Sequence, residues 1–210
     1  ISTGLILGFF VLFFVFFTSD TFFQLILAGI LGYSLFELFK IKGKKSIYVW
    51  TIFIFVLINM SLISPIANSS GRSFFFTALL ISVFTDIFAL VFGKLIGKRF
   101  VFPSISPNKT LEGTLLGLVI PSFFFLFSGY LFIEQEIILS QVFSELLVIS
   151  QLIDSFGYLV TFFIILISSL ASISGDLLAS KSKRLMGIKD FGNLLPGHGG
   201  ILAVSYTHLR

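Results

Sequence analysis

The residues best suited to chemistry are concentrated between Ser168 and Gly200, SSLASISGDLLASKSKRLMGIKDFGNLLPGHGG. An apolar helix carries one carboxylate, Asp176, near its end. It runs on into Lys181, Lys183 and Arg184, and is followed by Lys189, Asp190 and the turn Pro196-Gly197-His198-Gly199-Gly200. At helical spacing Ser172, Asp176, Ser180 and Lys183 share one face, because positions three, four or seven apart stack on one another. A lone acid surrounded by lipid is costly. One that meets a divalent cation, phosphates and lysines at the membrane surface is compensated. Carboxylates suit Mg²⁺, which takes one or two of them and completes its shell with water and substrate phosphates. His198 between glycines suits donation to phosphate or proton transfer, and suits a solvated turn equally. The cluster points to phosphate handling at the cytoplasmic mouth of a membrane enzyme.

Two further places carry polar chemistry. Asp86 lies inside an apolar run, where an acid marks a functional site by default; a structural hydrogen bond to a neighbouring Ser or Thr is the plainer reading. Residues 93–113, GKLIGKRFVFPSISPNKTLEG, gather Lys94, Lys98, Arg99 and Lys109 with the hydroxyls of Ser106 and Thr110. Glycines allow close backbone approach, and Pro103 and Pro107 stiffen the loop. Such a set holds phosphate oxygens through amides, hydroxyls and ammonium groups. It lacks the Gly-Lys-Ser/Thr order of a P-loop, so no Walker mechanism follows. A basic loop beside a membrane also serves simply to set topology or to touch anionic lipid.

The elements that must position these groups are membrane helices. The chain has 210 residues, 56% of them hydrophobic and 11% charged, with a mean hydropathy of +1.07; soluble domains carry about 25% charged residues. Thirty phenylalanines against one tryptophan suit lipid-facing helices, and the absence of cysteine excludes disulfides, thiolate metal sites and Cys nucleophiles. The sequence predicts an all-α polytopic bundle of about six transmembrane helices, each of about 20 apolar residues. The first run, Leu5 to Phe17, is short. The others cover about Thr21 to Phe39, Ile47 to Ile63, Ser73 to Phe92, Gly113 to Phe132 (kinked at Pro121) and Phe156 to Leu178. Thr18-Ser19-Asp20 forms a polar turn, and Lys40, Lys42, Lys44 and Lys45 place the loop after the second span in the cytoplasm. Between Ile137 and Ile153 the apolar residues repeat at helical spacing and polar ones interrupt, which describes an amphipathic helix on the outer surface. If that segment spanned the membrane, the Lys181–Lys189 cluster would fall outside, against the charge rule. Both basic stretches therefore share the cytoplasmic face.

Three sets of residues together resemble the phosphatidate cytidylyltransferases (CDP-diacylglycerol synthases). The long one is Ser180-x-x-Lys183-Arg184-x-x-x-x-Lys189-Asp190-x-x-x-x-x-Pro196-x-His198-Gly199-Gly200. Upstream, Phe92-Gly93-Lys94-x-x-Gly97-Lys98 and Ser106-Pro107-x-Lys109-Thr110-x-Glu112-Gly113 look like that family's cytoplasmic loop, and Gly175-Asp176 looks like its metal-binding acid. The resemblance runs from about Thr85 to Leu202. It departs at Thr85-Asp86-Ile87-Phe88-Ala89, where the acid is kept but the small residue beside it is not. After Leu202 the family continues Asp-Arg-x-Asp; here Ala203 to Arg210 does not match. The chain reads as one membrane domain, residues 1–202, truncated at both ends, with an unrelated tail at 203–210.

The resemblance implies transfer of CMP from CTP to phosphatidate, giving CDP-diacylglycerol and pyrophosphate, at a site facing the cytoplasm from a bacterial inner membrane. It implies Mg²⁺, with two metal sites, held by Asp176 and Asp86; the acid missing after Leu202 would complete them. Asp190 and His198 join Asp176, Lys183, Arg184 and Lys189 as the reacting set. Lys94, Lys98, Ser106, Lys109, Thr110, Ser180, Gly197, Gly199 and Gly200 join as substrate-binding positions. Because Ala203 replaces an aspartate, the 210-residue chain is expected to be inactive. The partners implied are phosphatidate, CTP and the lipid bilayer, with no nucleic acid; a homodimer is compatible with the amphipathic segment. Two other classes fit part of the pattern. A CTP-dependent polyprenol kinase needs the same nucleotide and metal. A membrane transporter places acids within spans but needs no lysines and His-Gly-Gly on one face.

Overall fold

The computed structural model describes residues 19–40, 69–103, 106–134 and 148–188. The expected first and third spans, most of the 137–153 segment, Lys189, Asp190, Gly197, His198, Gly199, Gly200 and the 203–210 tail lie outside the described residues. The described chain is mostly helical. In order it forms α1 (Asp20–Lys40), α2 (Ser69–Ile96), β1 (Phe100–Phe102), β2 (Ser106–Thr110), α3 (Leu111–Glu134) and α4 (Ile149–Met186). Within them, Gly71–Ile96, Leu111–Leu131 and Ile149–Leu185 are long and apolar enough to cross a membrane. This is a membrane protein. The chain divides into two compact units, residues 1–72 with 176–210 and residues 73–175.

In the first unit, α1 starts where the polar turn predicted. Ser19 accepts the Phe22 amide on its hydroxyl at 3.4 Å, which satisfies a donor that a helix start leaves open, and its carbonyl accepts the first helical bond, from the Phe23 amide, at 2.9 Å. Phe23 is buried, and the Arg72 guanidinium sits 4.9 Å above its ring, a cation–π contact. The far end of α4 belongs to this unit. It stops in a Schellman turn: Gly187 has φ 69°, its amide donates to the Arg184 carbonyl, and the Ile188 amide donates to the Lys183 carbonyl at 3.0 Å. A left-handed residue at that point favours glycine.

The second unit is a close-packed set of helices. Ile81 of α2, Phe125 of α3 and Ile149, Ile153 and Ile165 of α4 form the core, with Leu80, Phe84, Leu126 and Ile133 against it. Phe84 stacks on Phe124 at 4.8 Å and meets Phe125 edge-on at 5.5 Å. Toward the loop end of α2 the packing changes from large rings to backbone contact. Thr85, Ala89 and Gly93 on α2 meet Gly113 and Gly117 on α3, so closely that a Cβ on Gly117 would lie 2.6 Å from the Ala89 Cβ. Small residues four apart allow this in lipid, where helix association depends on packing rather than on hydrophobic burial. α3 runs unbroken through the buried Pro121.

Hydroxyls supply the polar contacts between these helices. Ser82 and Ser172 lie 2.7 Å apart across α2 and α4. Interhelical hydrogen bonds in membrane proteins contribute about 0.6 kcal/mol on average. Ser172→Ala is therefore expected to lower stability by about that amount in reversible unfolding from mixed micelles, and a loss above about 2 kcal/mol would contradict it.

Two expectations are amended. The 38-residue α4 would measure about 57 Å if straight, nearly twice the hydrocarbon thickness of about 30 Å. It is not straight. Gly157 has φ 77° and ψ 166°, a region open essentially to glycine alone, and it divides the element close to the expected start of the sixth span at Phe156. The described end of the 137–153 segment packs Val148, Ile149 and Ile153 against protein; a Cβ on Gly129 would strike Ile153 Cδ1 at 2.6 Å. Periodicity reports that a face is buried, not what buries it. The all-α expectation gains an exception, because β1 and β2 pair antiparallel, Phe100 opposite Thr110 and Phe102 opposite Ser106, with an irregularity between. The three-residue β1, and a β2 containing Pro and Asn, give little alternating signal.

Candidate functional site

The 93–113 region folds as a hairpin anchored at both ends of its own loop. Gly97, just past the end of α2, donates to the Gly93 carbonyl at 3.2 Å. A Cβ on Gly97 would fall 2.7 Å from Thr110 Cγ2, so only glycine lets Thr110 sit there. Thr110 is buried and is the N-cap of α3: its Oγ1 accepts the Gly113 amide at 3.3 Å, and its carbonyl accepts the Thr114 hydroxyl at 2.7 Å. The hydroxyl read as a phosphate donor is thus engaged in starting a helix.

Glu112 follows the cap. Its Oε2 accepts the backbone amides of both Lys98 and Arg99, at 3.0 and 3.3 Å, while the Leu111 amide donates to the Arg99 carbonyl at 2.7 Å. The turn is held on its donor and its acceptor sides. Lys94, Lys98 and Arg99 project into the open, and Ser106 and Lys109 are half-buried on β2. The hairpin therefore presents cationic side chains from a fixed backbone, the arrangement an anionic group needs. Asp86 is half-buried on α2, four residues beyond Ser82.

Along α4, Ser172, Asp176, Ser180 and Lys183 are all half-buried, whereas Ala171, Ser174, Leu178, Lys181 and Arg184 are exposed. This is the common face expected from the spacing. Lys183 and Arg184 occupy the last turn, where positive charge is favoured by the helix dipole. Among the described residues no group of three or more His, Asp or Glu side chains assembles a metal site by itself. Asp176 and Asp86 are each half-buried, in different units; Mg²⁺ takes one or two carboxylates and completes its shell with water and phosphates.

Two residues went unread as individual contributors. Glu112 carried no charge-pattern signal, because its partners are backbone amides more than a dozen residues upstream. Gly187 had a local signal: a glycine directly after a helix rich in late basic residues is a helix stop.

Comparison with known proteins bears on the family. The model of the cytidylyltransferase family matches residues 43–204, a span that contains both the hairpin and the α4 cluster. Proteins named phosphatidate cytidylyltransferase are similar to the chain. That of Staphylococcus saprophyticus is 38% identical over 135 residues, covering 64% of this chain and 44% of the relative. That of Bacillus subtilis is 38% identical over 132 residues, covering 63% and 42%. The matched part thus spans less than half the length of these curated relatives. No solved structure matches. With more than half of its residues matched to one family model, and both basic stretches inside the match, the chain belongs to the cytidylyltransferase family.

Proposed function

We propose that the protein transfers CMP from CTP to phosphatidate, releasing pyrophosphate and forming CDP-diacylglycerol, within one domain of about six membrane spans whose basic loops face the cytoplasm of a bacterial cell. The observation that carries this is the family match over residues 43–204, reinforced by relatives that bear the name of this activity.

The chemistry asks for what the sequence offers. Phosphatidate keeps its acyl chains in the bilayer and its phosphate at the interface, so the site must be basic and open sideways to lipid. A phosphatidate oxygen attacks the α-phosphorus of CTP in line; the bond from that phosphorus to the bridging oxygen breaks, and pyrophosphate leaves with the electron pair. Positioning and electrostatic stabilisation are the main demands of such a transfer. Lys183, Arg184 and Lys189 neutralise phosphate charge. Lys94, Lys98, Ser106 and Lys109 of the hairpin hold substrate phosphates, with Thr110 fixing the strand that carries them. Ser180, Gly197, Gly199 and Gly200 line the phosphate path, and Asp190 and His198 orient substrate and handle its proton. Asp176 and Asp86 would hold Mg²⁺, which when bound supplies positive charge against the leaving pyrophosphate.

The test compares the 210-residue chain with a version that restores Asp-Arg-x-Asp and a final helix after Leu202. Membranes carrying each are given phosphatidate, Mg²⁺ and CTP labelled either in cytidine or at the γ-phosphate. Cytidine label should enter lipid with the restored chain and not with the chain bearing Ala203. Movement of the γ-label instead would identify a lipid kinase, and no transfer by the folded, restored protein would remove the proposal.

A further inference from the structure

We propose that Glu112 is a positioning residue, holding the backbone of Lys98 and Arg99 so that their side chains meet a phosphoryl group already in place. This deepens the proposed function and rests on it for the identity of the ligand, not for the geometry. The Glu112 carboxylate is spent on main chain: Oε2 receives the Lys98 amide at 3.0 Å and the Arg99 amide at 3.3 Å. The cationic heads of both residues remain exposed. The same turn is closed from its other side by the Leu111 amide on the Arg99 carbonyl at 2.7 Å, and from below by the Gly97 amide on the Gly93 carbonyl. Every amide from 97 to 99 is thereby occupied, and two adjacent cations leave a turn whose backbone is held from both sides. An acid used merely to balance nearby charge would face the side chains. The start of α3, where Thr110 takes the Gly113 amide and Glu112 also reaches its own amide, does not require the two upstream amides that Glu112 holds. Ordering a binding loop in advance removes part of the entropy cost of binding. The phosphoryl group is that of the nucleotide or of the lipid head, and the two sources share the chemistry argued here.

The experiment uses the protein in micelles as wild type, Glu112→Ala and Glu112→Gln, the last retaining a side-chain oxygen that accepts from the amides. Two readouts are taken: hydrogen exchange at residues 98 and 99, and affinity for inorganic pyrophosphate. Glu112→Ala should expose both amides to exchange and weaken pyrophosphate about tenfold, whereas Glu112→Gln should stay within about threefold of wild type on the same scale. Lost protection with unchanged affinity would overturn the proposal, as would a Gln variant that binds like the Ala variant. Should Glu112→Ala fail to fold, Lys98→Ala with Arg99→Ala replaces it, and unchanged pyrophosphate affinity there overturns the proposal. Parallel titrations with CTP and with nanodiscs containing phosphatidate identify the source by which affinity falls alongside pyrophosphate. A wild type that binds pyrophosphate but shows no preference for CTP would defeat the cytidylyltransferase reading and leave the role of Glu112 standing.

Discussion

Asp176→Asn in the chain with its restored Asp-Arg-x-Asp is expected to lower CMP transfer by about a thousandfold or more, close to 4 kcal/mol of barrier. The substitution keeps size and hydrogen-bonding shape and removes only the charge. Asp176 is half-buried on the same α4 face as Ser180 and Lys183, so helix packing should survive, and its contribution should be to hold cation against phosphate. The corresponding control is Asp154→Asn, an exposed acid before the Gly157 break, expected to leave transfer unchanged. Rates measured across a Mg²⁺ titration separate the cases: the residual transfer of Asp176→Asn should need more Mg²⁺ than the parent, whereas Asp154→Asn should follow the parent's Mg²⁺ dependence. Transfer within tenfold of the parent would remove Asp176 from the metal site.

The second large effect concerns the seam between α2 and α3. Gly117→Val is expected to lower stability by about 3 kcal/mol or more, read as a lower unfolding midpoint in mixed micelles or as failure to accumulate in membranes. A Cβ there would sit 2.6 Å from the Ala89 Cβ and 2.8 Å from the Thr85 carbonyl oxygen. Those neighbours are backbone or the first atom of a side chain, so none can swing aside and the helices must part. In lipid no solvent-driven burial restores the contact. Gly29→Ala on α1 is the contrast, with nothing within 4 Å of the added atom; helix propensity there predicts a gain of about 1 kcal/mol or less. Equal behaviour of the two variants would mean that the seam does not limit stability.

How far the sequence carried the reading depended on the range of each interaction. The start of α1 at Ser19-Asp20, the spans α2 and α3 and the common face of Ser172, Asp176, Ser180 and Lys183 all follow from hydropathy and a 3.6-residue period, which are local. The Gly157 break fell beside the predicted boundary because the amphipathic pattern changes there. Most of what stayed hidden is built from tertiary contacts. Thr110, read as a ligand-binding hydroxyl, is a buried cap; Glu112, read only as a position of the Ser106-to-Gly113 motif, accepts the Lys98 and Arg99 amides. The Glu112 role has no local pattern, since its partners Lys98 and Arg99 join it only when the hairpin closes; the Thr110 cap is local, made to Gly113 three residues on, and a threonine before a helical run is a readable start. The amphipathic end at Ile149 and Ile153 announced a buried face, but the partner, Gly129 with Ile81 and Phe125, is chosen by packing.

The Thr77 side chain ties together two stretches far apart in the chain. Its hydroxyl donates to the Ser73 carbonyl within α2 at 2.8 Å and accepts the Val148 amide at 3.2 Å. That amide belongs to a segment made 71 positions later, and an amide without a partner in an apolar setting costs several kcal/mol. As the ribosome supplies the chain from its N-terminal end, α2 is finished before residue 148 is synthesised, and it offers a ready acceptor. The acceptor on α2 is thus made before its donor, and burying the Val148 amide without cost depends on it.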